Sequence, residues 1–348
     1  MPPHRRVTIS DVARAAGVSV PTVSKVMNGR YGVAPATIER VRAVIDRLGY
    51  ESSLVARTLR SRETGVIGIL VADFEPFSTE LLKGAARAVR TSRYELVAYS
   101  AGGWIEQQGW ERRYLNRLAG TLIDGAILVT PTVVDSGTEI PVVAVDPHAG
   151  HPDMPTVLSD NLTGAIRAVE HLMQLGHRRI GYLAGRPDLE SAALREQGYR
   201  QALTTAGIPV DEDLIRDGNY EAETSARAAK ELLGSTDPPT AVFAANDLSA
   251  IQTITVADSL GLRVPEDLSV IGFDNIPESA LARPPLTTID QAIQSMGFHA
   301  VRMLLDLLGG AELEPLHLRL PTTLVVRGSC APAPPGRGRL AESQSHSG

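Results

Sequence analysis

Most of the positive charge that could contact a polyanion lies at the start of this 348-residue chain. Residues 1–62 contain eleven lysines and arginines against four acidic residues, a net charge of +7, although the whole chain carries −6. The remaining residues therefore carry −13. A basic segment can neutralise the phosphates of a nucleic acid, whereas an acidic one is repelled by them. The charge distribution predicts that contact with DNA is confined to one end of the chain.

The side chains that most often perform catalysis show none of the usual spacings. No Gly-x-Gly-x-x-Gly motif opens a helix after a strand, and the sequence has no P-loop, HExxH, GxSxG or CxxC motif. The Asp, Glu and His residues are scattered, without the spacing of a catalytic or metal-binding group. We therefore expect a protein that is not an enzyme and that needs neither a cofactor nor a metal.

The composition, 43% hydrophobic and 21% charged, is typical of a globular protein. No apolar run approaches the roughly 20 residues that cross a bilayer. The charged residues at the start are not followed by the apolar segment of a secretory signal. The single cysteine, Cys330, cannot form an internal disulfide, which fits a reducing compartment. We expect a cytoplasmic protein that is associated with the nucleoid when it is bound to DNA.

Three short helices are predicted in the basic segment. Thr8 and Asp11 have the spacing of a capping box, which opens a helix that Gly17 ends. A second helix is predicted over Val20–Met27 and a third over Pro35–Leu48. Two short helices separated by a glycine-containing turn form a helix-turn-helix, whose second helix enters the major groove of DNA.

From residue 65 onward, short β-rich runs alternate with helical stretches. The strands of the first series are predicted at Val66–Val71, Tyr94–Ser100, Gly125–Thr130 and Pro141–Asp146. Those of a second series, which starts near residue 162, are predicted at Arg179–Ala184, Ala241–Ala245 and Ser269–Phe273. Two successive series imply two doubly wound parallel sheets, with ligand sites beyond the carboxyl ends of the strands.

The motifs of both parts resemble the LacI family of transcriptional regulators. In the basic segment the resemblance is carried by residues 7–13, 16–19, 22–26 and 28–29. In the rest it covers nearly all of 64–328, with its most recognisable motifs at 160–165, 171–181, 195–199, 246–247, 264–275 and 286–289. The resemblance implies an all-α helix-turn-helix headpiece, joined to an α/β periplasmic-binding-protein-like sensor with two doubly wound parallel-sheet lobes.

The same resemblance implies a domain organisation. It assigns a DNA-binding domain to 1–50, a hinge helix and linker to 51–63, and a two-lobed effector-binding domain to 64–328. The proximal lobe would comprise 64–161 and 292–320, and the distal lobe 162–290 and 321–328. The Pro, Gly, Ser and Arg content of the remaining residues, 329–348, predicts a disordered tail.

In the headpiece, the resemblance places Val20, Pro21 and Lys25 at base edges. It places polar side chains at DNA phosphates, namely Thr8, Ser19, Thr22, Ser24 and Asn28. This division is chemically reasonable, because hydroxyl and amide groups position a protein on the backbone, whereas a cation can reach guanine acceptors.

In the hinge, the resemblance adds Arg57, Leu59 and Arg60 to the DNA-binding set. Leu59 matches the leucine that the family wedges into the minor groove, where it unstacks a base step. Two departures from the family pattern are present: Ser52-Ser53 replaces the usual Pro-Asn, and Ala34 stands where a capping serine usually opens the third helix.

The effector contacts that the resemblance implies are Phe77 and Asp146 in the proximal lobe, Arg195, Asn246 and Asp274 in the distal lobe, and Tyr220 and Gln291 at the edge of the cleft. Carboxylate, amide and guanidinium groups can pair with the hydroxyls of a polyol, while an aromatic ring covers its apolar face. The set therefore indicates a small carbohydrate effector.

Four of these residues also have a purely structural interpretation. Asp274 could pair with Arg195 or cap the next helix, Asn246 could cap a helix, and Tyr220 and Phe77 could be ordinary core or rim aromatics.

The sequence thus predicts a sequence-specific repressor that a small carbohydrate effector releases from a near-palindromic operator. A homodimer is expected, because the tail lacks the leucine heptads of a tetramer and a two-fold operator matches a two-fold protein. Two alternatives remain open: a repressor that depends on a purine-type corepressor, and a cytoplasmic solute sensor that binds DNA only weakly.

Overall fold

A computed structural model of the protein describes residues 7–27, 31–50, 63–101, 109–132, 137–148 and 153–334. The chain divides into two compact units. The first reaches residue 64 and includes 120–122, and the second contains 65–119 and everything from 123 onward. Within the described ranges, no helix is both long and apolar enough to cross a membrane.

Within the described residues, the first unit contains three helices: α1 (Ile9–Ala16), α2 (Val20–Met27) and α3 (Pro35–Leu48). The predicted capping box is present, since the Thr8 backbone N–H donates to Asp11 Oδ2 at 3.0 Å. Gly17 ends α1 with a φ of 65°, a left-handed conformation that favours glycine. The three predicted helices are therefore confirmed, and the first two are joined by the tight turn of a helix-turn-helix.

A small apolar core holds these helices together. Val12 of α1, Val23 of α2 and Val41 of α3 are fully buried in it. Arg40 of α3 donates from Nε to the carbonyl of Ala16 at 3.1 Å, which satisfies an acceptor at the end of α1. Burial of one face of α2 in this core leaves its opposite face exposed.

Six parallel strands form the first sheet of the second unit. They are β1 (Val66–Val71), β2 (Glu95–Ser100), β3 (Gly125–Val129), β4 (Val142–Val145), β5 (Thr156–Ser159) and β11 (His317–Leu320). Their order is β11-β5-β4-β3-β1-β2. Three helices accompany this sheet: α4 (Pro76–Val89), α5 (Trp110–Leu118) and α11 (Ile293–Leu308). The apolar core between β1, β3, β4, α4 and α11 is completely buried at its centre.

The second sheet also has six strands. They are β6 (Ile180–Ala184), β7 (Ile215–Asp217), β8 (Ala241–Ala244), β9 (Ser269–Asp274), β10 (Thr287–Asp290) and β12 (Thr323–Val325), in the order β12-β10-β9-β8-β6-β7. The helices of this lobe are α6 (Asn161–Gln174), α7 (Glu190–Thr205), α8 (Ala222–Leu233), α9 (Asp247–Ser259) and α10 (Pro277–Leu281). Two buried clusters pack against the sheet, one with α6 and α7 and the other with α8 and α9.

In the part of the chain that the structure describes, there are three crossings between the two sheets: after β5, after β10, and between β11 and β12. The third crossing explains the one departure from the expected parallel sheets. β11 runs parallel to β5 and ends at the carboxyl edge of the first sheet. The chain therefore enters the second sheet at its carboxyl edge, so β12 must run antiparallel to β10.

The predicted disorder of residues 329–348 is wrong for residues 329–334. The Ser329 carbonyl accepts from the Val270 N–H at 2.8 Å, His177 Nε2 lies 3.0 Å from the carbonyl oxygen of Ala331, and the Ala333 N–H donates to Leu175 at 2.8 Å. Composition alone missed this segment because its order comes from hydrogen bonds to β9 and to the residues between α6 and β6. The remainder of the predicted tail, 335–348, lies outside the described residues.

Replacing Gly84 in α4 should destabilise the second unit. A Cβ at residue 84 would lie 1.8 Å from the carbonyl oxygen of Gln294, at the start of α11. Overpacking costs about 1–3 kcal/mol, so we expect Gly84→Ala to lower the free energy of unfolding in chemical denaturation. Gly328→Ala is the matched control, because a Cβ there would have its nearest neighbour 3.5 Å away. Equal stabilities for the two variants would contradict the backbone contact between α4 and α11.

Candidate effector cleft and DNA-binding head

Four of the predicted effector residues lie at the carboxyl ends of strands. Asp146 follows β4, Asn246 lies two residues beyond β8, Asp274 ends β9 and Gln291 follows β10. Asp146 lies at the carboxyl edge of the first sheet, and the other three lie at the carboxyl edge of the second. Ligands of open α/β sheets bind at such edges. The topology therefore brings to one cleft residues that are up to 145 positions apart in the sequence.

Arg195 of α7 lies at the centre of this cleft and is only 4% exposed. Its Nε donates to Asn161 Oδ1 at 2.8 Å, its Nη1 to Asp274 Oδ1 at 3.1 Å, and its Nη2 to Gln291 Oε1 at 3.4 Å. The guanidinium also stacks over the ring of Phe273, with 3.8 Å between Cζ and the ring centroid. Burying a cation is costly unless it is paired and hydrogen-bonded, and Arg195 meets both conditions.

Gln291 connects the two sheets at the level of this arginine. Its Nε2 donates to Asp274 Oδ1 at 2.6 Å, and its Oε1 accepts from Ser159 Oγ at 2.8 Å. Ser159 ends β5 in the first sheet, whereas Asp274 ends β9 in the second. A ligand that changed the hydrogen bonds of Gln291 would act on both lobes at once.

Sequence reasoning did not assign Ser159 and Asn161 to the site. Both are almost completely buried, and both contact predicted site residues. Asn161 belongs to one of the motifs that carry the family resemblance, but an asparagine at a helix start is more often a cap. The sequence gives no separate signal for Ser159, because its role depends on the crossing from β5 into α6.

Burial raises the pKa values of two carboxyl groups in the cleft. Burial raises the pKa of Asp274 to about 7, against the lowering effect of Arg195, and the nearby charges of Glu75 and Asp146 raise it further. Burial likewise raises the pKa of Asp146, although Arg195 and a hydrogen bond from Ser191 lower it. Near pH 7 the carboxyl group of Asp274 can therefore act both as a donor and as an acceptor.

The structural interpretation holds for Asp274, which pairs with Arg195, and also for two further predicted contacts. Asn246 caps α9, since its Oδ1 accepts from the Ser249 N–H at 2.9 Å. Phe77 lies in the first turn of α4 and packs, half-buried, against the core of the first sheet. Both residues remain at the cleft side of their lobes, but neither belongs to the hydrogen-bonded group around Arg195.

Tyr220 lies over the backbone that follows β6. A Cβ at Gly185 would be 2.2 Å from Tyr220 Cζ, so only glycine leaves room for the ring. Tyr220 has a φ of 62°, which is unusual for a residue other than glycine. Strained backbone of this kind is concentrated at ligand-binding sites, and the prediction that Tyr220 belongs to the cleft edge is consistent with this placement.

The two lobes also touch across the mouth of the cleft. His148, which follows β4, lies with Nδ1 3.0 Å from Asp188 Oδ2, and its carbonyl accepts from the Glu190 N–H at 3.1 Å. Burial lowers the pKa of His148, although Asp188 opposes this effect. The cleft is therefore closed by contacts that bring together residues 146–148 and 188–191.

In the first unit, α2 presents a mixed apolar and cationic surface to solvent. Val20 is 37% exposed, and Pro21 and Lys25 are also exposed, on the side opposite the buried Val23 and Val26. An exposed α2 with this composition can make apolar contacts with thymine methyls and hydrogen bonds with guanine.

The predicted phosphate contacts are distributed around the ends of these helices. Thr8 caps α1, and Ser19 Oγ accepts from the Thr22 N–H at 3.3 Å at the start of α2. Thr22 and Ser24 are half-buried along α2. The remaining predicted DNA contacts lie outside the described residues: Asn28, Arg57, Leu59 and Arg60.

Comparison with known proteins agrees with this geometry in both units. The family model for bacterial regulatory proteins of the lacI family matches residues 8–53, and that for the periplasmic binding protein-like domain matches 169–330. The HTH-type transcriptional regulator CelR of Thermobifida fusca is 35% identical over 341 residues, which are 94% of this chain and 99% of CelR.

Two solved structures are similar over nearly the whole chain. The complex of the transcriptional regulator CelR with cellobiose has a TM-score of 0.68 at 33% identity and covers 93% of this chain and 100% of that one. The Lac repressor dimer bound to operator and the anti-inducer ONPF has a TM-score of 0.81 at 28% identity and covers 94% and 100%.

A helix-turn-helix head and a two-sheet domain with a polar cleft define a class of DNA-binding transcriptional regulators. Given the family match and the similarity along the chain, this protein belongs to the lacI family of bacterial regulatory proteins. The predicted fold class and family are confirmed, and its relatives are regulators rather than enzymes.

The raised pKa of Asp274 makes a testable contribution to stability. Between the ordinary pKa near 3.8 and about 7, the folded state keeps a proton that the unfolded state releases, so stability falls as pH rises through this window. Asp274→Asn abolishes this titration while keeping an acceptor for Arg195. We expect the melting temperature of the wild type, relative to Asp274→Asn, to fall from pH 5 to about pH 7 and then to level off. Parallel profiles would contradict the assignment.

Proposed function

We propose that this regulator is a homodimeric repressor that a small, hydroxyl-rich carbohydrate releases from its operator. The observation that carries the proposal is the buried group of Arg195, Asp274 and Gln291 at the junction of both sheets. Its amide, guanidinium and carboxyl groups provide donors and acceptors in one small volume. Vicinal hydroxyls, each a donor and an acceptor, match such a set.

The charge of the cleft supports an uncharged effector. Arg195 is matched by Asp274, and Asp146 and Glu75 add negative charge that acts on the same centre. An anionic ligand would have to overcome both the acidic residues and the existing pairing of the guanidinium. The solved complex of the relative CelR holds cellobiose, a neutral disaccharide, which agrees with this class of ligand.

The connection from effector to DNA would begin at Gln291. An effector that hydrogen-bonds Arg195 or Asp274 competes with their contacts to Gln291, and Gln291 is also held by Ser159 of the first sheet. A change in the hydrogen bonds of Gln291 would shift the equilibrium between two arrangements of the lobes. A coupling of about 1–3 kcal/mol between two sites is typical of allosteric proteins. In a homodimer, this shift would act on the paired segments that follow the heads.

The resemblance assigns the DNA side of this mechanism. We propose that Val20, Pro21 and Lys25 read bases, and that Thr8, Ser19, Thr22, Ser24 and Asn28 hold phosphates, with Arg57, Leu59 and Arg60 completing the contact from the hinge. Two heads of a dimer would then bind a near-palindromic operator, and the protein would act on chromosomal DNA in the cytoplasm.

The proposal is tested by combining a thermal-shift panel with operator release. Neutral mono- and disaccharides including cellobiose, phosphorylated sugars and purine bases are screened, and each hit is added to the complex with an operator selected from randomised duplexes. A ligand at 100 times its dissociation constant adds about 2.7 kcal/mol of stability. We expect a neutral sugar to raise the melting temperature and release the operator. A purine that tightens operator binding instead would overturn the proposal.

Arg195→Met should separate effector response from DNA binding. The substitution keeps an unbranched side chain at this position but removes every guanidinium hydrogen bond and the stacking on Phe273, so the effector should no longer release the operator, while operator affinity is kept. Fluorescence anisotropy of labelled operator with and without the sugar measures both properties. Arg263→Met, at an exposed arginine of the same lobe, is the control. A normal response from Arg195→Met would remove this residue from the effector site.

Lys25→Ala should weaken operator binding by about 10- to 100-fold, the cost of losing a contact worth about 1–3 kcal/mol. The loss should be largest for the selected operator and small for random DNA, because Lys25 is proposed to read bases. Lys230→Ala removes an equal charge from an exposed position in the second unit and should leave affinity unchanged. An equal loss on operator and random DNA would mean that Lys25 contacts only phosphate.

A further inference from the structure

Three buried side-chain polar atoms lack a hydrogen-bond partner within the described part of the chain. They are the hydroxyls of Tyr182 and Tyr220 and Nε2 of His171. A buried polar atom without a partner costs stability, and native proteins rarely keep one without a reason. Two of the three belong to tyrosines near the end of β6: Tyr182 lies within this strand, and the ring of Tyr220 lies against Gly185, which follows it.

Tyr182 is a fully buried residue of β6 whose ring is held on both sides by other aromatics. It stacks on Tyr199 with 4.9 Å between centroids and an angle of 16°, and Phe243 lies 5.3 Å away. These contacts fix the ring and therefore the position of its hydroxyl. The pKa of Tyr182 lies well above its ordinary value because of burial first and then because of Tyr220, while the charge of Arg195 lowers it. The phenol is thus within electrostatic range of both cleft residues.

Tyr220 reaches the same place from the loop after β7. The end of its ring lies against Gly185, three residues after Tyr182 along the chain. Tyr220 and the preceding Asn219 both have a left-handed backbone, with φ of 62° and 52°. Such conformations persist only where the surrounding structure holds them, and they are concentrated at ligand-binding sites. Burial raises the pKa of Tyr220 to about 12, and Arg195, Asp274 and Asp146 all act on it.

The neighbouring Tyr199 shows what an ordinary buried tyrosine does in this core. Its hydroxyl donates to the carbonyl of Ile180 at 2.8 Å, so the polar atom is satisfied. Tyr182 is stacked against it and equally buried, but its hydroxyl has no such partner among the described residues. The difference between these two rings is therefore a difference in hydrogen bonding rather than in packing.

We propose that the hydroxyls of Tyr182 and Tyr220 form a polar subsite at the floor of the cleft, which pairs with a hydroxyl group of the bound effector. The inference rests on the proposed function, because it concerns the same carbohydrate. It adds Tyr182, a residue of the core, to the specificity-determining set, and it assigns to Tyr220 a hydrogen bond in addition to its ring surface. A site built to hydrogen-bond a hydroxyl rejects an analogue that lacks it, because the buried partner is then left unpaired.

The test compares three single substitutions of tyrosine by phenylalanine in the full-length protein. For the ligand-free protein, Tyr182→Phe should raise the melting temperature by about 2–4 °C, since it removes an unpaired buried hydroxyl. Tyr199→Phe should lower it, since it removes a hydrogen bond. The sign of the shift thus separates the two stacked rings before any ligand is added.

Cellobiose is then titrated into each protein by calorimetry. Tyr182→Phe and Tyr220→Phe should bind it about three- to tenfold more weakly, the usual loss for one hydrogen bond, while Tyr199→Phe binds like the wild type. A melting temperature that falls in Tyr182→Phe would overturn the proposal, because the hydroxyl would then have a partner already. Unchanged affinity in both Tyr182→Phe and Tyr220→Phe would overturn it as well.

Failure of the proposed function is distinguishable from failure of the subsite. If the wild type binds neither cellobiose nor any other neutral sugar, the proposed effector class is wrong, and the subsite for it is overturned with it. If the wild type binds a sugar and the two variants bind it equally well, the effector class stands and only the subsite is lost.

Discussion

The buried charge of Arg195 is the constraint on which the effector cleft depends. A guanidinium removed from water needs compensation, and here it comes from Asp274, from amide oxygens and from the face of Phe273. These partners come from separate helices and strands, so the fold must bring the strand ends together before the charge can be accommodated. Asp274 is buried together with Arg195, and this burial raises its pKa to about 7. The polar network therefore specifies the arrangement of the cleft more than it contributes to net stability.

Several residues of the cleft have unfavourable backbone conformations. Asp274, Tyr220 and Ala292 all have positive φ values, and Asp146 does as well. Each such conformation costs about 1–3 kcal/mol in a residue other than glycine. The sheets and their helices, by contrast, are packed with completely buried aliphatic side chains. The unfavourable conformations are thus held in place by well-packed apolar cores. This distribution is expected for a domain whose cleft residues must change their contacts when a ligand binds.

The sequence predicted much of this fold because its signals were local. The capping box at Thr8, the glycine turn at Gly17 and the apolar run of β1 each determine their own neighbourhood, and their bounds were found within a residue or two. Short elements such as β7, the contact of Ser159 with Gln291 and the contact of Asn161 with Arg195 depend on the crossings between sheets, which no local pattern records. For the same reason the order of residues 329–334 was missed. The sequence gives no sign that the Tyr182 hydroxyl lacks a partner among the described residues, because its neighbours in the chain are those of any core aromatic.

The third crossing has a consequence for the order in which the protein can be completed during synthesis. β11 and β12, at residues 317–325, supply an edge strand to each sheet, and the hydrogen bonds of residues 329–333 close the second one. Both lobes therefore remain incomplete until residues 317–333 have left the ribosome, whereas the three described helices of the head end at Leu48. A nascent chain shorter than this would carry the head helices beside a sensor that lacks an edge strand in each sheet.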